Sequence, residues 1–316
     1  MTTALKRHDG TLTLRARAWA TLSDADLKRR AKTAANQREP DELWSLVEAH
    51  LVTKSRAGAR VSRHTLRNYR RGILDLLDAW QGENLLRPSR EAADLYVTDL
   101  GERLKPGTVR VKVAAARALY KALRWAGATE LRPFEDVTLP RDPTAAWDKR
   151  QPYTHDEVAA MLAKADTTDR ALILLGAHGG LRVSEMVALE WRDVDLDAGT
   201  LTIRSGKGGK GGTVELSTST VTALEALREA RPGTDTVFGF ATPQRAYERV
   251  RRVAYKALLG KGKGVHALRH YCGTRTAAEQ GLEAAQQHLR HSNLSTTQTY
   301  AKWRDRIKIR EMVQQW

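Results

Sequence analysis

Residues 128–152 hold Pro133, Pro140, Pro143 and Pro152 among scattered charges. Proline lacks a backbone N–H and fixes φ, so no regular helix runs through such a stretch. That punctuation constrains the chain more than any other feature. It separates a strongly helical pattern upstream from a mixed pattern downstream and reads as an interdomain linker over 129–152. With 316 residues in all, each side is long enough to bury its own core.

Upstream, residues 1–38 are polar and basic, with Arg15, Arg17 and the run Lys28-Arg29-Arg30. They read as a basic arm with a short helix near Asp24–Ala35. Residues 39–128 read as a four-helix bundle. Asp41 is a candidate cap for a helix that turns Leu43, Trp44, Val47 and Leu51 inward. Ser62 precedes a second, with Leu66, Tyr69, Ile73, Leu76 and Trp80 on one face. A third follows Ser89 and buries Ala92, Leu95, Tyr96 and Leu100. A fourth follows Thr108 and stops at Gly127. Arg63, Arg67, Arg70, Arg71, Arg110, Lys112 and Arg117 fall mostly off the apolar stripes, which makes them candidate phosphate contacts.

Downstream, residues 153–303 form a second domain. Thr154 and Glu157 have capping-box spacing, so a helix starts at 155. Helices are expected at 171–177, around Met186, and at 218–230, 243–258, 267–280 and 282–289. Thr200–Arg204 and Thr213–Leu216 alternate and are β-branched, and SGKGGKGG joins them as a hairpin turn. Residues 304–316 form a candidate C-terminal helix, amphipathic through Ile307, Ile309, Met312 and Val313.

Lys plus Arg number 53 against 37 Asp plus Glu, a formal net charge of +16 with pI near 10.1. The parts before and after residue 150 carry about +10 and about +6, so both attract a polyanion, and nucleic acid is the commonest one in a cytosol. No apolar run approaches bilayer length, and the N-terminus lacks the apolar core of a signal peptide. The single cysteine, Cys272, rules out an internal disulfide and a CxxC metal site. A cytoplasmic, nucleoid-associated protein needing no cofactor is expected.

The chemistry concentrates between residues 266 and 300. His266, Arg269 and His291 bring positive charge or hydrogen-bond donors, and Tyr300 brings a nucleophilic hydroxyl. A donor-rich site with a tyrosine suits reaction at a phosphate.

These residues sit in patterns that resemble a known family. GGLRVSE around Arg182, SGKGGK holding Lys207 (with Lys210 as second choice), HALR holding His266 and Arg269, and LRHSNLSTTQTY holding His291 and Tyr300 are similar to the motifs of tyrosine recombinases, the phage integrase and Xer group. The likeness covers about residues 154–303, and the basic segment 41–126 is similar to that family's core-binding domain. It implies a mainly α fold with a small antiparallel β-sheet, built as a helical core-binding bundle plus a catalytic domain. It further implies site-specific cleavage and rejoining of double-stranded DNA at a recombination site. Arg182 and Arg269 would clamp the phosphate, and His266 and His291 would assist. Tyr300 would attack to leave a 3′-phosphotyrosyl link, and Lys207 would protonate the 5′-oxygen that leaves. Neither ATP nor metal is implied. Four protomers would assemble on a Holliday junction, exchanging the C-terminal helix. Type IB topoisomerases use a similar residue set, and a catalytically silent DNA-binding protein is a third reading. The GGLRVSE, HALRH and LRHS patterns and the intact set of six favour the recombinase. Two residues are left open. Glu185 either orients Arg182 or faces solvent. Arg290, standing where the family usually has glycine, either meets DNA or points to solvent.

Overall fold

A computed structural model describes residue 14 and residues 16–55, 58, 61–144, 151–204 and 211–290. The chain divides into two compact units, Met1–Pro143 and Thr144–Trp316. Among the described residues no helix is long and apolar enough to cross a membrane.

Among the described residues the first unit is all helical: α1 (Asp24–Asn36), α2 (Pro40–Lys54), α3 (Arg63–Ala79), α4 (Ala92–Arg103) and α5 (Pro106–Trp125). Ser62 caps α3 as its spacing requires, its Oγ accepting from the Thr65 N–H at 3.1 Å. Three expected caps are displaced. The N-caps of α2, α4 and α5 are Glu39, Glu91 and Lys105 rather than Asp41, Ser89 and Thr108. In α2 and α5 a proline at the first turn supplies helical φ with no N–H to satisfy, and it outranks a side-chain cap. Leu95 is 66% exposed, against the expectation that it turns inward. The face of α4 that meets the core runs through Ala92, Ala93, Tyr96, Val97 and Leu100, and Leu95 lies off that stripe.

Two corrections concern what the bundle contains. The expected arm over 1–38 is, from Ala16 on, part of the core. Trp19 is fully buried, its indole N–H donates to Ser45 Oγ at 2.9 Å, and the Arg30 guanidinium lies over its ring. Polar composition concealed one large apolar anchor. The expected linker over 129–152 also begins by packing rather than spanning. Phe134 is buried in an aromatic cluster with Trp80, Tyr96 and Tyr120, stacked on Trp80 at 5.4 Å between centroids. Proline forbids helix there without forbidding burial of the residue beside it.

The second unit holds α6 (His155–Lys164), α7 (Thr167–Ala177), α8 (Val183–Ala188), β1 (Val194–Asp195), β2 (Thr200–Ile203), β3 (Gly212–Glu215), α9 (Thr218–Ala230), α10 (Pro243–Lys256), α11 (Val265–Gln280) and α12 (Leu282–His288). The Thr154–Glu157 capping box is formed in both directions. The hairpin β2–β3 pairs Leu201 with Val214 and Ile203 with Gly212, which turns Leu201, Ile203 and Val214 into the core. A two-residue strand, β1, adds to its edge by pairing Val194 with Leu201. It was too short to leave a pattern.

At the centre, α7 is buried from Ala171 to Ala177 and lies against α9, α10 and α11. Its first turn is tied to α10 by an ion cluster. Asp169 accepts from Arg249 Nε at 2.6 Å and from Arg252 Nη2 at 2.7 Å, and Asp166 meets the same two arginines. Holding α7 in this way fixes where its C-terminal end delivers the loop Gly179-Gly180-Leu181-Arg182.

Candidate active site

Arg182 is the N-cap of α8, in extended conformation, with Glu185 at the third helical position. That spacing folds the carboxylate back over the helix start. Glu185 Oε2 accepts from the Arg182 backbone N–H at 2.8 Å and Oε1 from the Arg182 guanidinium at 2.7 Å. Of the two destinations open to Glu185 in the sequence, the structure takes the first. Its side chain is 3% exposed and holds Arg182, which stays 24% exposed. Burial pushes the Glu185 carboxyl up, but the Arg182 N–H and guanidinium and the Arg290 charge together hold it below the usual range.

Arg269 lies in α11 and is 2% exposed. Its guanidinium donates to the carbonyl oxygens of Gly180 and Leu289, the latter at 2.5 Å. It therefore ties together the loop that carries Arg182 and the end of α12, which leads to residues 291–300. Gly180 has φ +61, and a Cβ there would sit 2.6 Å from Leu289 Cδ2 and 3.2 Å from Cys272 Sγ. A side chain at that position would be strained by the backbone and would have to displace Leu289. Cys272 is buried, and that burial raises its thiol to about 11, against the pull of Arg269. It is a packing residue, not a nucleophile.

Arg290 resolves differently from either expectation. It follows the C-cap of α12 with φ 54, the left-handed position where helices commonly end in glycine. That is a physical reason for the family's preference, and a non-glycine residue there costs roughly 1–2 kcal/mol. The side chain turns inward, 14% exposed, and Nη2 donates to Glu185 Oε2 at 3.0 Å. Its Cδ lies 3.1 Å from where a Cβ on Gly212 of β3 would be, so it rests at the base of the hairpin. Burial lowers the Arg290 pKa, Glu185 opposes that and Arg182 adds to it.

His266 stands exposed in the first turn of α11, its ring edge-on to His270 at 4.7 Å. The structure thus brings together Arg182, Arg269 and Arg290 around Glu185 and two carbonyls, with His266 one turn of helix before Arg269. Lys207, Lys210, His291, Tyr300 and the helix expected over 304–316 lie outside the described residues. Of the other tyrosines near the motif, Tyr271 lies 3.1 Å from His155 Nδ1 through its hydroxyl and Tyr255 is exposed on α10.

In the first unit, Arg63, Arg67, Arg70 and Arg71 are exposed and line one open hollow with Trp44, Glu48, Leu66 and Leu74. Arg70 also pairs with Asp41 at 2.8 Å. Arg110 is exposed. Lys112 and Arg117 are different: Lys112 is paired with Asp75, and Arg117 donates to the carbonyls of Phe134 at 2.8 Å and Glu135 at 3.3 Å. Those two hold the bundle together. Arg132, which lines a second hollow with Lys121 and Arg124, carried no helical pattern to mark it.

Comparison with known proteins agrees with this architecture. The model of the phage integrase family matches residues 152–306, and that of the phage integrase N-terminal SAM-like domain matches residues 57–127. The chain belongs to the phage integrase family, the tyrosine recombinases, and is a DNA strand transferase of site-specific recombination. Tyrosine recombinase XerC of Xanthomonas campestris pv. campestris is 31% identical over 298 residues, spanning 87% of this chain and 89% of that one. Tyrosine recombinase XerA of Thermococcus kodakarensis is 31% identical over 278 residues, spanning 84% and 92%. The fold is similar to that of a lambda integrase tetramer bound to a Holliday junction, with TM-score 0.68 at 15% identity over 82% of this chain and 76% of that one. It is also similar to the Tn1549 transposon integrase in complex with transposon right end DNA, with TM-score 0.66 at 17% identity over 86% and 99%.

Proposed function

We propose that this chain cuts a duplex recombination site by attack of the Tyr300 hydroxyl oxygen on the scissile phosphorus. The new bond is a 3′-phosphotyrosyl ester, and the bond that breaks releases a 5′-hydroxyl. The phenolic proton goes to His266, and Lys207 supplies the proton taken up by the departing 5′-oxygen. Arg182 and Arg269 meet the non-bridging oxygens, where charge grows in the transition state, and His291 adds a hydrogen bond. Reversal with a 5′-hydroxyl from a second duplex rejoins the strand without an external energy source, because the ester conserves the bond energy. Four protomers carry out the exchange on a Holliday junction, linked through residues 304–316. The lambda integrase tetramer supports that assembly by likeness of fold.

The observation that carries the reading is the support around the two arginines. A buried carboxylate orients Arg182 through 2.7 and 2.8 Å bonds, and two carbonyls orient Arg269. Such preorganised guanidinium groups are what a phosphoryl transition state requires. The exposed arginines of α3 offer phosphate contacts to the same duplex. The test uses a pool of nicked duplexes randomised over the core and scored by denaturant-stable protein–DNA adducts. The wild-type chain is expected to form adducts, and Tyr300→Phe to bind the selected duplex and form none. Adducts from the phenylalanine variant would refute the assignment of the nucleophile.

A further inference from the structure

Arg290 is the residue at this site that the proposed reaction leaves unused. Its position is unfavourable on two counts. The backbone is left-handed at φ 54, where glycine would be unstrained, and the guanidinium is largely withdrawn from water. Something must offset both. Among the described residues its acidic partner is Glu185, and that carboxylate is already the group that orients Arg182.

The charges sharpen the point. With glycine at position 290, Arg182 and Arg269 set against Glu185 would leave one net positive charge in the cradle. Arg290 makes it two. Its Nη2 takes the same oxygen, Oε2, that accepts the Arg182 N–H, and Oε1 is left to the Arg182 side chain. Three donors from two directions fix both rotation and tilt of the carboxylate, and Oε1 then holds the Arg182 guanidinium at Nη1. Contact with the base of β3 at Gly212 limits how far the Arg290 stem can swing.

We propose that Arg290 is a positioning residue for strand transfer. It acts through Glu185 to hold the Arg182 guanidinium in place. This rests on the function proposed above. A helix end in glycine leaves Glu185 with Arg182 alone. Here the carboxylate is held from both sides, and the arginine pair is set before DNA arrives.

The test measures the single-turnover rate of adduct formation by the full chain, at saturating concentration of a nicked duplex selected by covalent capture. Arg290→Gly is expected to unfold at or above the wild-type temperature, because the left-handed strain is relieved. Its rate is expected to fall about 10- to 100-fold, the range for losing a charged hydrogen bond behind a transition-state donor. Its apparent Kd for the duplex should move less than about 3-fold, since one charge among many phosphate contacts is lost. Arg290→Gln, of similar length and no charge, should show the same loss, and it carries the test if the glycine variant misfolds. Arg290→Lys should recover most of the rate. In a Glu185→Gln background, Arg290→Gly should change the rate less than about 3-fold, because the residue acts through that carboxylate. A glycine variant as fast as or faster than wild type overturns the proposal, and so does an equal loss in both backgrounds. A wild-type chain that forms no adduct, or a Tyr300→Phe variant that does, overturns the underlying function instead.

Discussion

Gly180→Ala is the substitution that most directly tests how the fold holds the site. Its cost has two separable parts. Alanine at φ +61 loses roughly 1–2 kcal/mol relative to glycine. Its methyl would sit 2.6 Å from Leu289 Cδ2 and 3.2 Å from Cys272 Sγ, overpacking that typically adds about 1–3 kcal/mol. Gly233, in the same unit, has φ +72 and nothing within 4 Å of where a Cβ would stand, so Gly233→Ala isolates the first part. Equilibrium urea unfolding of the full chain should show Gly233→Ala costing about 1–2 kcal/mol and Gly180→Ala about 2–5 kcal/mol. The excess has a functional counterpart. Leu289 is the residue the new methyl displaces, and its carbonyl is one of the two that hold Arg269. Adduct formation should therefore fall at least about 10-fold in Gly180→Ala and stay near wild type in Gly233→Ala. Equal costs for the two variants would mean that the close approach of the loop to α12 does not hold the site, which refutes the reasoning.

Arg67→Ala should weaken DNA binding and lower the log–log salt slope by about 0.9, as for one lost phosphate contact. Arg117→Ala should leave that slope unchanged and destabilise the first unit by about 1–3 kcal/mol, since two carbonyls lose their donor; binding titrations at several salt concentrations separate the two. Acid should weaken the fold through His178, whose pKa is lowered by burial and by nearby Arg275 and His155. The folded chain prefers the neutral ring, so the stability it confers is present above the unfolded value of 6.5 and is lost as pH falls towards the folded pKa. Thermal unfolding at pH 7.5 and 5.5 should show a smaller drop for His178→Asn than for wild type.

What the sequence disclosed depended on how local each signal was. The Thr154–Glu157 box and the Ser62 cap are bonds between residues three apart, and both formed. The hairpin flanking the glycine-rich turn was legible from two short alternating runs. Trp19 and Phe134 were misplaced because a single aromatic in a polar or proline-rich stretch carries no periodicity. Their burial depends on partners 26 residues away for Trp19, and in three separate segments for Phe134. Within the candidate site, the motifs pointed to Arg182, His266 and Arg269, whose side chains the structure describes. The bonds that orient them were less legible. Glu185 at three residues from Arg182 was a hint, whereas the carbonyls of Gly180 and Leu289 have no side-chain signature at all. Arg290 was visible as an anomaly, but its direction was set by a left-handed backbone that residue type does not report.

The one thiol in the chain has a practical consequence. Cys272 is buried and has its pKa raised, and it is the only cysteine in the sequence. The wild-type protein is accordingly a ready background for site-directed labelling. A cysteine introduced at an exposed position would take up a maleimide dye while the native thiol stayed silent, with no prior replacement needed. A donor placed on the outer face of α4 at Leu95 and an acceptor on the DNA could then follow the timing of capture and release.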